Sequence, residues 1–311
     1  VQTGWANAYI SEVIVCNTDL STEDRQKLEG YLAWKWGLTA NLPADHPYKS
    51  APPTTSAPAL DPDAAAYISA VETADGQALE AGVVTAINNF VVGCKADGIW
   101  DAIKSSAILA GARTLSGALQ PLVGTAPTNF NFVSGDYDRK TGLKGNGSTK
   151  YLNSNRNNNA DPQDDRHVAC YRSRAQNSNQ AYIAARTGGN VIGANYLWTT
   201  GAAPQFTCVP NTDTHTSNGS DTIGVATFHG VSRANSTTTT GRISGVNYSF
   251  SSTSATPISN NLRIFCGAND SIPEFFTNAR LSFYSIGEAL DLAALDTRVS
   301  ALMTAIDGAI A

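Results

Sequence analysis

The stretches NLRIFCGAND (261–270) and ARLSFYSIG (279–287) share one pattern, and DLAALDTRVSALMTAI (291–306) breaks it. In the first, Leu262, Ile264 and Cys266 alternate with Arg263 and Phe265. In the second, Leu281 and Phe283 alternate with Arg280 and Ser282. Period-two alternation is that of strands with one face buried. The third stretch places Leu292, Leu295, Val299, Leu302, Met303 and Ile306 three and four apart, the spacing of one apolar helix face. Two strands followed by a helix that closes over a sheet is therefore the expected ending of the chain.

Working outward, residues 142 to 287 carry the same signal. HVACYRS (167–173), AYIAART (181–187), QFTCVP (205–210), GVATFHGVSR (224–233) and GRISGVNYSF (241–250) read as strands, and Asn146-Gly147 and Asn218-Gly219 as tight turns. Seven or eight strands with polar turns and a closing helix predict a mainly β protein, a two-sheet antiparallel sandwich. Residues 111–141 read as an irregular lead-in. Before them, Leu79, Val83, Ala86, Ile87, Phe90, Val91 and Cys94 keep a helical stripe that could be core or a subunit contact. IWDAIKSSAIL (99–109) reads as a second short helix. SAPPTTSAPAL (50–60) is a Pro, Ser and Thr linker. AYISEVIVCNTDLS (8–21) reads as strand and turn. TEDRQKLEGYLAWKWG (22–37) reads as a helix whose Tyr31, Trp34 and Trp36 are more simply packing residues than a sugar platform.

The expected domains are thus 1–49, the strand-and-helix ending of a first sandwich; 50–60, the linker; 61–129, a helical connector; and 130–311, the complete sandwich. Charged residues make up 15% of the 311, and Lys plus Arg at 21 against Asp plus Glu at 26 give a net charge of −5. With no basic stripe to neutralise phosphates, nucleic acid is not an expected partner. No apolar run has the length of a membrane span, so membrane insertion is not expected either. The five cysteines, Cys16, Cys94, Cys170, Cys208 and Cys266, are dispersed and form no CxxC; they read as buried free thiols.

Three stretches carry a family resemblance. TGLKGNGSTKYLNS (141–154), ATFHGVSRANSTTTTGRISGVNYSF (226–250) and LRIFCGANDSIPEFFTNARLSFYSIGEALD (262–291) resemble strands of concanavalin A-like, laminin-G-type jelly rolls. LSTEDRQKLEGYLAWKWGLTANLPADHPYKSAPP (20–53) resembles the terminal helix and tail of such domains in bacterial and phage surface proteins. The segments 93–119 and 131–163 are similar to modules of phage tail-fibre and virion structural proteins. The resemblance implies a virion-surface appendage assembled in the host cytoplasm, bound to other virion proteins and to a host surface polysaccharide. It further implies a homo-oligomer, a trimer by preference, with the apolar faces of 79–94 or 292–306 as contacts.

Catalytic signatures are sparse in the sequence. Glycosidases need two carboxylates on one face, and the acidic clusters, Asp136 with Asp138 and Asp161 with Asp164 and Asp165, sit among turn residues. A non-enzymatic protein is therefore expected, with capsid decoration or a purely structural fibre as one alternative and a glycan depolymerase using Asp136, Asp138, Asp164 or Asp165 as another. His46, His167, His215 and His229 lack metal-binding spacing. No cofactor is expected, though Asp161, Asp164 and Asp165 in NRNNNADPQDD supply the hard oxygen donors that calcium takes. For glycan binding, GGNVIGANYLW (188–198) places Asn190, Asn195, Tyr196 and Trp198 close together, with Arg186 just before them.

Overall fold

The computed structural model describes residues 10–16, 19–54, 59–174, 180–187, 190–200, 205–212, 216–220, 225–269 and 272–311. They fall into two units, Val1–Ala59 and Leu60–Ala311.

In the first unit, α1 spans Thr22–Lys35. Ser21 Oγ accepts the Asp24 amide at 3.1 Å, and Glu23 and Asp24 meet the positive end of the helix dipole. Gly30 lets the helix lie against Tyr48, since a Cβ there would come within 2.6 Å of the Tyr48 Cβ. Trp34 Nε1 donates to the Tyr48 carbonyl at 2.9 Å and Trp36 Nε1 to Glu12 at 3.0 Å. Tyr31, Trp34 and Trp36 nevertheless keep large exposed areas. Residues 10–16 form no strand and Ile10, Val13 and Val15 are exposed, because an alternating segment becomes a strand only with a neighbour to pair with.

The second unit begins with two helices, α2 (Pro62–Asp75) and α3 (Ala81–Ala96). Asp61 caps α2, accepting the Asp63 amide at 3.0 Å with Pro62 at the first helical position, and Gly76 ends it at φ +70°. The strands follow in chain order. They are β1 (Ile103–Ile108), β2 (Thr128–Phe130), β3 (Tyr137–Asp138), β4 (Gly142–Lys144), β5 (Tyr151–Asn157) and β6 (Arg166–Arg174). Next come β7 (Gln180–Thr187), β8 (Asn190–Thr200), β9 (Gln205–Thr212), β10 (Thr216–Ser220), β11 (Thr227–Arg233), β12 (Thr238–Ile243) and β13 (Val246–Ser251). The last four are β14 (Asn261–Ile264), β15 (Gly267–Asn269), β16 (Ile272–Glu274) and β17 (Arg280–Gly287). Two further helices are α3′s short successor α4 (Leu115–Ala118) and the closing α5 (Leu292–Ala309).

Eight strands make the first sheet, in the order β13-β12-β11-β6-β17-β4-β3 with β1 also on β17. Seven make the second, β10-β9-β8-β7-β14-β5-β2, and β15–β16 is a separate hairpin. The protein is thus mainly β, an antiparallel sandwich with helices before it and at its end. Val168, Cys170, Val231, Leu281, Tyr284 and Ile286 of the first sheet meet Leu152, Tyr182, Ile183, Leu197, Leu262 and Ile264 of the second, all buried. The other face of the first sheet is covered by helices. Ala169, Phe228 and Phe283 pack with Tyr67, Ile87, Phe90, Leu295, Val299 and Leu302, and the Phe90 and Phe283 rings meet edge-on at 5.6 Å.

Several expectations change here. The apolar faces of 79–94 and 292–306 are buried in the chain's own core, so they are not available as oligomer contacts. Residues 103–108 are a strand and not part of a helix: Ser105 pairs with Ile286 and Ala107 with Tyr284. Buried on both faces, that strand loses the alternation that would mark it in the sequence. The lead-in of 111–141 contains α4, β2 and β3. Cys94 and Cys266 are buried and free and Cys170 is buried, whereas Cys16 is free and exposed; Cys208 lies outside the residues whose side chains are described. Among the described residues no helix is long and apolar enough to cross a membrane.

Candidate functional site

Helices cover the outer face of the first sheet; on the second sheet the outer face is described for β2, β5, β14 and β7. On β5, Leu152 and Ser154 turn inward, and Tyr151 and Asn153 therefore face out. Register carries that row across the sheet. Phe130 of β2 pairs with Tyr151 and Thr128 with Asn153; Asn153 lies opposite Arg263 of β14, and Arg263 opposite Ala184 of β7.

Aromatic rings line up along this row. Phe130 and Tyr151 stack at 4.3 Å with 5° between planes, and the Arg263 guanidinium lies 5.5 Å from the Tyr151 ring. Because β2 is the outermost strand, the face of Phe130 turned away from Tyr151 is left to solvent, and Phe130 is 36% exposed. Burial raises the Tyr151 hydroxyl pKa above its ordinary value, with Arg263 opposing. Phe276 reaches Tyr151 edge-on at 6.2 Å.

A second aromatic group adjoins the same face. Trp198 and Phe275 meet at 4.5 Å, and Arg186 sits 5.8 Å from the Trp198 ring and 5.3 Å from that of Phe275. Phe275 is 42% exposed and has φ +54°, a left-handed conformation rare for an aromatic residue. Trp198 is only 9% exposed and forms a wall. Two of the five sequence candidates, Arg186 and Trp198, thus come together. Asn190, Asn195 and Tyr196 lie on β8 with side chains outside the described residues. Phe130, Tyr151, Arg263, Phe275 and Phe276 escaped the sequence reading; the alternation of Tyr151 with Leu152 and the Phe275-Phe276 pair were the only local signals.

Rings with exposed faces, guanidinium donors and the Asn153 amide suit a sugar, whose apolar CH faces stack while its hydroxyls take hydrogen bonds. The acidic candidates are placed otherwise. Burial would raise Asp136, but Lys150 at 2.5 Å and the Val133 amide hold it below the usual carboxylate range. Asp138 is lowered likewise, against burial, by the Thr141 hydroxyl and the amides of Thr141 and Lys140. Arg156 engages Asp161 through Nε at 3.0 Å and through its terminal nitrogen. Asp165 accepts the Ala289 amide at 2.6 Å. These carboxylates are spent on ion pairs and turns. Among the described residues no group of three or more His, Cys, Asp or Glu is placed to hold a metal, so Asp161, Asp164 and Asp165 do not come together as the calcium donors their spacing allowed.

No family model and no curated protein matches the chain. Solved structures do. The chain is 12% identical to domain 4 of an extracellular GH43 arabinanase from Geobacillus stearothermophilus solved with arabinotriose. That match has a TM-score of 0.38 and covers 57% of this chain and 82% of that domain. A mutant Trypanosoma rangeli sialidase displaying trans-sialidase activity matches at 11% identity and TM-score 0.44, over 71% of this chain and 39% of its own. The enzymatically active domain of bacteriophage CBA120 tailspike protein 2 matches at 13% and TM-score 0.36, over 58% of this chain and 29% of its own. The chain spans well under half the length of the sialidase and the tailspike domain. At these identities the likeness is one of fold. The structures named are of glycan-processing enzymes and their domains, not of the non-enzymatic phage fibre or attachment proteins that the sequence led us to expect.

Proposed function

We propose that the protein acts in glycan processing and that the outer face of its second sheet holds the glycan. The observation that carries this reading is the ladder of Phe130, Tyr151 and Arg263 beside the Trp198, Phe275 and Arg186 group on the second sheet. A sugar ring stacks on the open side of Phe130 or beside Phe275, and Arg263, Arg186 and Asn153 receive its hydroxyls. The sandwich itself, two antiparallel sheets of eight and seven strands, is of the concanavalin A-like kind by this reading.

The test incubates the full chain with a panel of polysaccharides and measures both binding, by affinity electrophoresis, and release of reducing ends. Tyr151→Ala and Phe130→Ala, each checked for an unchanged far-ultraviolet circular dichroism spectrum, are expected to weaken binding about tenfold, the equivalent of about 1.4 kcal/mol. Folded variants that bind as the wild type does would move the glycan off this face. A wild-type protein that binds but releases no reducing ends from any polysaccharide would refute processing by cleavage.

A further inference from the structure

Three cations stand in a row across the first sheet. Arg280 of β17 is the direct register partner of Lys144 on β4 and of Arg174 on β6. Like charges placed directly opposite each other on adjacent strands destabilise a sheet. No ion pair joins Lys144, Arg174 or Arg280 to a carboxylate among the described residues, although the chain as a whole is acidic. Arg280 spends one nitrogen on the carbonyls of Gly142 at 2.5 Å and Asp136 at 3.4 Å, and the three cations, with Asn278, line one small cleft of about 50 Å³. Burial lowers the Arg280 pKa; Asp138 opposes it, Arg174 adds to it, and Asp136 opposes it more weakly. Asp138 and Asp136 act on Arg280 without forming an ion pair with it, and a row of facing cations that costs stability in the free protein has a physical rationale once an anion occupies it.

This cleft adjoins the aromatic face. One segment, Phe275–Arg280, supplies Phe275 and Phe276 to the rings and Asn278 and Arg280 to the cations. Phe276 and Arg280 are four positions apart, at most about 14 Å of extended chain, within reach of one short oligosaccharide. On the other side, Gly147 and Gly145 donate their amides to Thr277 at 3.1 Å and Ala279 at 3.0 Å, tying the turn between Lys144 and Tyr151 to the same segment. We propose that Lys144, Arg174 and Arg280 form a site for a carboxylate or sulfate group, and that the glycan held on the adjoining face is acidic. The second half of this inference rests on the glycan reading above; the first half stands on the cation row alone.

Two measurements separate the halves. In the first, the melting temperature is followed as sodium sulfate replaces sodium chloride at constant ionic strength. Wild type should show a saturable rise, as a ligand that binds only the folded state produces, and Lys144→Gln/Arg174→Gln only the shallow, unsaturable rise that sulfate gives any protein. The same shallow response in wild type would overturn the anion site, and the double variant, altered at exposed positions, also controls for misfolding. In the second, oligogalacturonate, dextran sulfate and neutral dextran are compared. Tighter binding of the carboxylated or the sulfated chain, lost in the double variant and weakened by Tyr151→Ala, supports an acidic glycan and says which anion it carries. Wild type binding neutral dextran as tightly as the acidic chains, with the double variant binding all three alike, overturns the acidic class while leaving the aromatic face as the glycan site.

Discussion

His167 offers a test of the packing of the first sheet. It lies on β6, almost fully buried, with Nδ1 2.5 Å from the Glu288 carbonyl and Nε2 2.7 Å from Ser285 Oγ. A carbonyl only accepts, so Nδ1 carries the proton and Nε2 accepts from the serine hydroxyl: the neutral imidazole fits. Burial pushes its pKa down to about 4, with the Glu288 carbonyl opposing. In the unfolded chain the ring titrates near its ordinary value of about 6.5. Between these values the unfolded state holds more protons, so the stability from a neutral His167 is complete above pH 6.5 and is lost as pH falls toward 4. From pH 7.5 to pH 5.0 the loss from this residue comes to about 2 kcal/mol. Urea unfolding, followed by tryptophan fluorescence at the two values, measures it. His167→Asn keeps an amide donor for the Glu288 carbonyl and cannot titrate; it should be less stable than wild type at pH 7.5 and lose about 2 kcal/mol less on acidification. An equal loss in the variant would refute the assignment of a buried neutral ring.

Two further substitutions probe the frame. Phe283→Ala removes the ring that joins β17 to Phe90 of α3, and should cost about 3–5 kcal/mol in urea unfolding; a loss under 1 kcal/mol would mean that the helices do not pack on this sheet. Gly142 has φ +92° and a Cβ there would stand 2.2 Å from the Leu281 carbonyl oxygen, a backbone atom that cannot swing aside. Gly142→Ala should therefore cost at least about 2 kcal/mol, and a neutral result would place β4 differently against β17.

The closing strand and helix were legible because each shows one clean period: Leu281 and Phe283 against Arg280 and Ser282, then Leu292 through Ile306. Strand β1 was not. Its residues Ser105 to Ile108 are buried on both sides, and Ile99 and Ile103, four apart, imitate a helix face. The subunit-contact reading of 79–94 failed for a related reason, since an apolar stripe says that something covers it but not that the cover is α5 and β17 of the same chain.

The candidate site was legible only where it is local. Arg186 and Trp198 sit on neighbouring strands of one hairpin, and the sequence reading paired them. Phe130, Tyr151 and Arg263 belong to β2, β5 and β14, adjacent only because the sheet runs β7-β14-β5-β2 out of chain order. The cation row is hidden in the same way: Lys144, Arg174 and Arg280 are far apart in a chain of net charge −5, and only register makes them neighbours. Conversely, the acidic residues that stood out in the sequence are taken up by Lys150, Arg156 and turn amides. The non-enzymatic reading had rested on those carboxylates, which do not report on a surface assembled from four strands.

The measurement that tests the glycan-holding face most directly is a hydrogen–deuterium exchange footprint of the full chain saturated with an acidic oligosaccharide from the panel. Protection confined to peptides spanning Thr128–Phe130, Tyr151–Asn153 and Phe275–Arg280 is the predicted result. Protection over the helices α2, α3 or α5, with these peptides unchanged, would contradict it.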